Sequence, residues 1–234
     1  MSSNSVNKTA VIIGASRGLG LGLVQEYLKR GWRVIGTERA NNPSSSLRNL
    51  LTSHSSQLRI EKIDINSTNE ISMLKTNLKG ESIDLLFVNA GVMDERTQNV
   101  GEASTEEFNR LMITNALSPM RVIETLADLV KIKGTIAVMS SGLGSVTANT
   151  TGTTELYRAS KAALNMFLKS YAARAGAERT LLAMIPGWVK TDMGGPGAQL
   201  EVETSVRGMA DAIETRNAQA GVFFVNYKNA IMPW

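Results

Sequence analysis

The sequence predicts an α/β fold: one doubly wound parallel sheet of about seven strands, with helices on both faces. Three observations carry that expectation. Short β-rich runs alternate with helix-periodic segments along the 234 residues. Most of those runs are continuously apolar, as strands covered on both faces must be. Several end in glycine or small polar residues, where a parallel sheet of this kind presents its ligand-binding edge. No break in composition marks a second unit, so one domain over 1–234 is expected.

The elements follow in order. Residues 9–13 (TAVII) form the first strand and stop at Gly14. Residues 21–30 have helical periodicity, with Lys29 and Arg30 in the last turn and Gly31 as the stop. The second strand spans 33–37. A polar stretch opening at Pro43 predicts a short helix through Leu51. Residues 58–63 alternate as a third strand ending at Asp64, and Ser67 caps an amphipathic helix through Leu78. Residues 83–88 (IDLLFV) are the fourth strand. A long helix is predicted over 105–131, kinked at Pro119. The fifth strand spans 135–140, and a Gly/Ser/Thr-rich loop over 141–153 follows. Thr153 or Thr154 should cap the next helix, which runs to about residue 175. The sixth strand covers 181–185, a Gly-Pro loop follows at 194–197, a helix spans 201–215, and the last strand covers 222–225.

Composition narrows the chemistry. The net charge of +4 is modest and its lysines and arginines are scattered, which argues against nucleic-acid binding. With no cysteine, disulfides, thiolate nucleophiles and Cys-ligated metals are excluded. The single histidine, His54, sits in a polar run, so a Ser-His-Asp site has no base elsewhere. No apolar run is long enough for a membrane span. The first eight residues lack an apolar signal segment, which predicts a cytoplasmic protein.

Residues after successive strand ends converge on one chemistry. Gly14-Ala15-Ser16-Arg17-Gly18-Leu19-Gly20 follows the first strand and opens a helix. Glycines there let the backbone approach a pyrophosphate, and the helix N-terminus offers free N–H groups. Glu38 and Arg39 follow the second strand. The carboxylate suits a free ribose 2′-hydroxyl and the arginine a 2′-phosphate, with Arg17 as a further cation. The balance favours NADP(H), with NAD(H) possible. Asp64 and Ile65 follow the third strand and would meet an adenine. Asn89-Ala90-Gly91 follows the fourth and allows a close approach. Ser140 and Ser141 follow the fifth. Pro186-Gly187-Trp188-Val189-Lys190-Thr191 follows the sixth as a fixed turn whose backbone can read a planar amide.

Tyr157 and Lys161 are four apart and share one helix face. A neighbouring ammonium would lower the tyrosine pKa and make it a usable general acid.

The glycine pattern, Asn89-Ala90-Gly91, Ser141, Tyr157-x-x-x-Lys161 and Pro186-Gly187 together resemble the short-chain dehydrogenase/reductase family, over almost the whole chain. The run from Tyr157 to Met166, the 186–193 segment and the aromatic C-terminal stretch resemble its C-factor and sniffer-like carbonyl reductase subgroup. The resemblance implies a Rossmann fold, a nicotinamide cofactor and a catalytic tetrad of Asn115, Ser141, Tyr157 and Lys161. It implies that Asn115 holds a proton-relay water and that Lys161 holds the nicotinamide ribose. It also implies that Leu19 meets the pyrophosphate, and that Val189 and Thr191 meet the carboxamide. Ser141 lies sixteen residues before Tyr157 against about thirteen in the family, which places an insertion in 148–154. The short glycine-rich 192–200 segment predicts an open pocket lined by Val92, Leu143, Trp188 and Met193.

The expected function is NADPH-dependent reduction of an aldehyde, ketone or quinone to an alcohol. The alternative is a non-catalytic dinucleotide-binding signalling protein of the C-factor type. The partners expected are a small carbonyl substrate and a second copy of the chain, as homodimer or homotetramer. Ala162, Ala163, Met166 and Phe167 are open to either core or partner, and the apolar Ile231-Met232-Pro233-Trp234 is expected to pack on a neighbouring subunit.

Overall fold

The computed structural model describes residues 8–39, 45–94, 99–176 and 178–234. Seven parallel strands form one sheet: β1 (Thr9–Ile13), β2 (Arg33–Glu38), β3 (Leu58–Lys62), β4 (Ile83–Val88), β5 (Val130–Met139), β6 (Thr180–Ile185) and β7 (Gly221–Asn226). Their order is β3-β2-β1-β4-β5-β6-β7. The order reverses between β1 and β4, so the carboxyl ends of those strands border the switch point where ligands bind in such sheets. The Rossmann-type fold expected from the strand pattern is therefore present.

Helices cover both faces. On one lie α1 (Gly18–Lys29) and α8 (Val202–Arg216). They pack Leu23, Tyr27, Val206, Met209 and Ile213 over Ile12, Phe87 and Met184. On the other lie α4 (Thr68–Asn77), α5 (Thr105–Met112), α6 (Ser118–Leu126) and α7 (Glu155–Tyr171). Their Leu74, Leu111, Ile123, Leu164 and Leu168 are buried, and all but Leu111 share one core with Val11, Leu86 and Ile136. Burying each such side chain contributes about 1.5–3 kcal/mol, so the alternation along every strand fixes which face each helix occupies.

Several elements depart from the sequence reading. The predicted helix over 105–131 is broken. A π-turn over Ile113–Leu117 separates α5 from α6, because Pro119 has no N–H to give the carbonyl of Asn115. The helix does not reach residue 131. Val130 already pairs with Ile83, and a bulge restores register at Leu85–Thr135. The alternation Val-Lys-Ile-Lys over 130–133 is the strand signal, and Lys131 pairs with Asp84 at 2.7 Å.

The polar stretch after β2 holds two single turns, α2 (Ser46–Asn49) and α3 (Leu51–His54). Ser45 Oγ caps the first by accepting from the Arg48 N–H. Pro43, where that stretch was expected to open, lies outside the described residues. Ser67 caps α4 as expected, accepting from the Glu70 N–H.

Neither Thr153 nor Thr154 caps α7 with its side chain. Thr154 sits at φ +54, in the left-handed region, and its hydroxyl donates to the Thr153 carbonyl.

Part of the 231–234 tail packs against its own chain. Met232 N donates to the Phe224 carbonyl, and Trp234 stacks on Phe224 at 5.2 Å between ring centroids. Ile231 and Pro233 stay exposed, and Met232 and Trp234 are half-buried. Ser145 and Thr147 donate to the main-chain oxygens of Pro233 and Trp234. An aromatic ring finds enough buried area within its own chain to fold back.

Candidate active site

The glycine loop is built by close packing. Gly14 has φ +83, and a Cβ there would lie 2.9 Å from the backbone of Ala90. A Cβ at Gly20 would lie 2.0 Å from the Gly14 carbonyl oxygen and 2.6 Å from the Asn89 amide nitrogen. The GxxxGxG spacing thus lets α1 start directly against the end of β1. Asn89 has a defined part here: its side-chain amide donates to the Gly14 carbonyl at 2.7 Å. It locks β4 to the loop.

The first turn of α1 has no side-chain cap, so its N–H groups are left for an anion. Ser16 and Arg17 are exposed beside it, and Leu19 is half-buried. Arg17 pairs with Asp192 at 2.9 Å, with both side chains about four-fifths exposed. Gly18 faces Thr191, whose Cγ2 lies 3.6 Å from where a Cβ would stand. The loop after β6 therefore closes over the glycine loop.

At the end of β2, Glu38 is buried. Its carboxylate accepts from Ser45 Oγ at 2.9 Å and from Arg48 Nε at 2.5 Å. Arg39 is exposed. Glu38 is therefore not a free carboxylate but one held by Ser45 and Arg48, with one partner on each oxygen. Arg48 was missed because it lies ten residues further on, and its proximity depends on how 45–48 folds back. Asp64 accepts from the Asn66 N–H at 2.9 Å, and Ile65 is buried next to it.

The tetrad residues arrive from three elements. The π-turn carries Asn115 inward, fully buried. Its amide accepts from the Val92 N–H and donates to the Val92 carbonyl, both at 2.8 Å. It also donates to Ser160 Oγ at 3.0 Å, and Ser160 in turn donates to the Tyr157 carbonyl. Ser160 and Val92 thus tie Asn115 to the loop after β4 and to α7. Gly91 passes close by: a Cβ there would stand 3.2 Å from Asn115 Oδ1 and 3.4 Å from Lys161 Nζ.

The two serines after β5 point to different partners. Ser140 is buried and its hydroxyl donates to Asn165 Oδ1 at 2.7 Å. Ser141 caps the following turn through the Leu143 N–H, and its hydroxyl lies close enough to Tyr157 to lower that residue's pKa. Asn165 also donates to the Gly144 carbonyl, so it holds the whole loop. The sequence reading missed it; its spacing of four from Lys161 on α7 is the signal that could have found it.

Tyr157 is 8% exposed. Burial pushes its hydroxyl up to about 12, the nearby Ser141 hydroxyl pulls it down, and the charge of Asp94 raises it further. The expectation that Lys161 would lower this pKa is corrected here: burial dominates. Lys161 is equally buried, and desolvation brings its ammonium down to about 8. Its Nζ donates to the Met139 carbonyl at 2.9 Å and stands 5.6 Å from the Tyr157 ring centroid. One of three N–H bonds is engaged among the described residues, so two remain for a ligand.

After β6, Pro186 and Gly187 are half-buried, and Gly187 takes φ +85 against Leu200. Val189 is buried and bridges to Leu200. The Thr191 hydroxyl accepts from the Gly194 N–H. Trp188 is 62% exposed, with its indole N–H donated to the Gly194 carbonyl. Met193 is exposed and Leu143 half-buried.

Strand order, glycine loop and Tyr-Lys helix together define a dinucleotide-binding oxidoreductase fold. Residues 8–199 match the family described as short chain dehydrogenase. The chain belongs to that family. It is 36% identical over 162 residues to the C-signal of Myxococcus xanthus, covering 68% of this chain and 97% of that one. A Burkholderia multivorans structure, described as a short-chain dehydrogenase/reductase with bound NADP, is 46% identical. It superposes with a TM-score of 0.95, covering 97% of this chain and 100% of that one. A carbonyl reductase from Pseudomonas aeruginosa in complex with NADP is 35% identical, with a TM-score of 0.89 and 97% and 99% coverage.

Proposed function

We propose that this chain is an NADPH-dependent carbonyl reductase, working as one domain in the cytoplasm on small aldehydes, ketones or quinones. The observation that carries the proposal is the buried Tyr157, its hydroxyl held protonated at neutral pH beside Ser141, with the Lys161 ammonium over its ring. The relatives with bound NADP support the choice of cofactor.

The residues present fit that cofactor. The uncapped first turn of α1, with Gly14, Ser16, Arg17, Gly18, Leu19 and Gly20, would hold the pyrophosphate. The Arg48–Glu38 pair removes the competing carboxylate and, with Arg39, would meet a 2′-phosphate. Asp64 and Ile65 would take the adenine. Asn89, Ala90 and Gly91 would line the ribose side, where the spare N–H groups of Lys161 would bind hydroxyls. Pro186, Gly187, Val189 and Thr191 would hold the carboxamide. When bound, the reduced nicotinamide supplies the hydride.

The chain's own residues do the rest. Ser141 and Tyr157 donate to the carbonyl oxygen and polarise it. Tyr157 then passes its proton to the developing alkoxide, a far stronger base than a phenolate. Asn115 fixes the Val92 segment and, through Ser160, the first turn of α7, so the tyrosine stays in place. Leu143, Trp188 and Met193 border the substrate.

Phe108, Leu117, Met166 and Phe167 are exposed apolar residues on α5, the π-turn and α7. They support pairing with a second copy through this side.

The test is Tyr157→Phe. NADPH turnover with a generic aldehyde should fall at least a hundredfold, about 3 kcal/mol of barrier. Binding of NADPH, followed by protein fluorescence, should change less than about threefold. Undiminished turnover refutes the assignment. Cofactor binding by the wild type with no turnover on any carbonyl favours the signalling reading that the C-signal relative suggests.

A further inference from the structure

The segment after β7 follows a fixed course. Asn226 Oδ1 accepts from the Lys228 and Ala230 N–H groups. Asn229 takes φ +62, in the left-handed region that asparagine tolerates. Arg216 on α8 fastens this turn by donating to Asn229 Oδ1 at 2.5 Å and to the Asn229 carbonyl at 3.2 Å. The chain thereby reverses, and Ile231 bridges Val225 in the antiparallel sense. Trp234 is set on buried Phe224, with the Lys169 ammonium of α7 5.2 Å from its ring centroid.

That course delivers main-chain oxygens to the loop beyond Ser141. Ser145 is buried, and its hydroxyl donates to the Pro233 carbonyl at 2.7 Å while accepting from the Ala148 N–H at 3.1 Å. The Trp234 main-chain oxygen accepts from the Thr147 hydroxyl at 2.9 Å and from the Thr147 N–H at 3.2 Å. The stretch before it is closed on itself. The Gly144 N–H donates to the Ser141 carbonyl at 2.9 Å, and the Ser145 N–H to the Gly142 carbonyl at 3.1 Å. The Leu143 N–H donates to Ser141 Oγ at 3.1 Å. Residues 141–145 are therefore one tight turn. It is held upstream by β6, where the Ser140 N–H donates to the Met184 carbonyl, and downstream by Pro233 and Trp234.

A turn closed in this way moves as a unit. Fastened at both ends, it aims the Ser141 hydroxyl; released at one end, it swings about the other. A misplacement of about 1 Å at a reacting centre costs on the order of a hundredfold in rate. We propose that Trp234 is a positioning residue, anchoring on Phe224 the segment that holds Ser145 and Thr147 and so fixing the Ser141 turn. The role rests on the carbonyl reductase reading, in which Ser141 donates to the carbonyl oxygen. A purely structural tryptophan would need only the Phe224 stack; the hydrogen bonds to Ser145 and Thr147 go beyond it.

Two measurements test the role. The first is amide hydrogen exchange of the cofactor-free protein, which needs no activity. Trp234→Ala should speed exchange of the Leu143, Gly144 and Ser145 N–H groups by at least about tenfold. Trp234→Phe keeps a ring on Phe224 and should hold those rates within about threefold of wild type.

The second is a mutant cycle on kcat for NADPH-dependent reduction of a generic aldehyde, well below the Tm of each variant. Trp234→Ala should lower kcat roughly tenfold and leave the Kd for NADPH within about threefold. In a Ser141→Ala background the same substitution should cost less than about threefold, because there is no hydroxyl left to misplace. Loss of packing alone would act equally in both backgrounds. Should Trp234→Ala fail to fold, Ser145→Ala leaves the ring stack in place, removes the bond to Pro233, and should show the same exchange and the same cycle.

Equal losses in the two Ser141 backgrounds, or turn amides that keep their wild-type exchange, overturn the positioning role and leave the reductase reading standing. A wild-type kcat in folded Trp234→Ala does the same. Wild-type protein that binds NADPH and reduces no carbonyl overturns the reductase reading, and the role of Trp234 with it.

Discussion

Replacing Lys161 with methionine should make the protein more stable at neutral pH while abolishing its activity. A lysine ordinarily titrates near 10.5, and burial brings this one down to about 8. That gap corresponds to about 3 kcal/mol favouring the neutral amine in the folded state. The folded pKa is depressed, so the contribution is fully present above 10.5 and is lost as pH falls through 8. Between pH 9.5 and 6.5 the wild type should lose about 2 kcal/mol that Lys161→Met does not. The single hydrogen bond to the Met139 carbonyl is also lost in the variant. Its cost, about 1–3 kcal/mol for the stranded acceptor, does not depend on pH over this window. Thermal unfolding of both proteins at the two pH values isolates the titrating part. The difference in Tm, variant minus wild type, should be larger at pH 6.5 by roughly 4–8 °C. A difference that stays constant, or grows toward high pH, refutes a buried charged lysine. The stability forgone at this position is the sort that active sites forgo for function.

The two serines after β5 should separate cleanly. Ser141→Ala should lower kcat by roughly a hundredfold with little change in Tm, because its hydroxyl is aimed at Tyr157. Ser140→Ala should instead lower stability by about 1–3 kcal/mol, read from urea unfolding, because it strands the amide of buried Asn165. Gly20→Ala should abolish NADPH binding or soluble expression, since the added carbon would stand 2.0 Å from the Gly14 carbonyl oxygen. Tight cofactor binding in that variant would contradict the packing of the loop. Arg48→Met should free the Glu38 carboxylate, raise the Kd for NADPH by at least about tenfold and narrow the preference over NADH. Equal NADPH affinity in fluorescence titrations would remove Arg48 from that site.

Much of the molecule is legible before any coordinates. The strand–helix alternation is a statement about burial: a run such as Ile83–Val88 with no outward-facing polar register must be covered on both sides. The glycine spacing is local too, because loop, helix start and strand end are contiguous in the chain. Tyr157 and Lys161 share a helix face for the same reason. Errors arose where a local pattern competes with a distant partner. The helix that was to reach residue 131 gives way to β5 because Val130 finds Ile83 across the sheet. That Trp234 stacks on Phe224 of its own chain was likewise not readable from the tail's composition.

The sequence by itself determined the fold class, the glycine loop and the Tyr-Lys pair, since each rests on periodicity or on neighbours within a few residues. Tertiary structure alone decided the electrostatics. Whether Glu38 is free or clamped depends on Arg48 folding back over it. Whether Ser140 or Ser141 meets Tyr157 depends on which way β5 ends. The pKa values of Tyr157 and Lys161 follow burial under elements far apart in the chain, which overrides what their spacing alone implies.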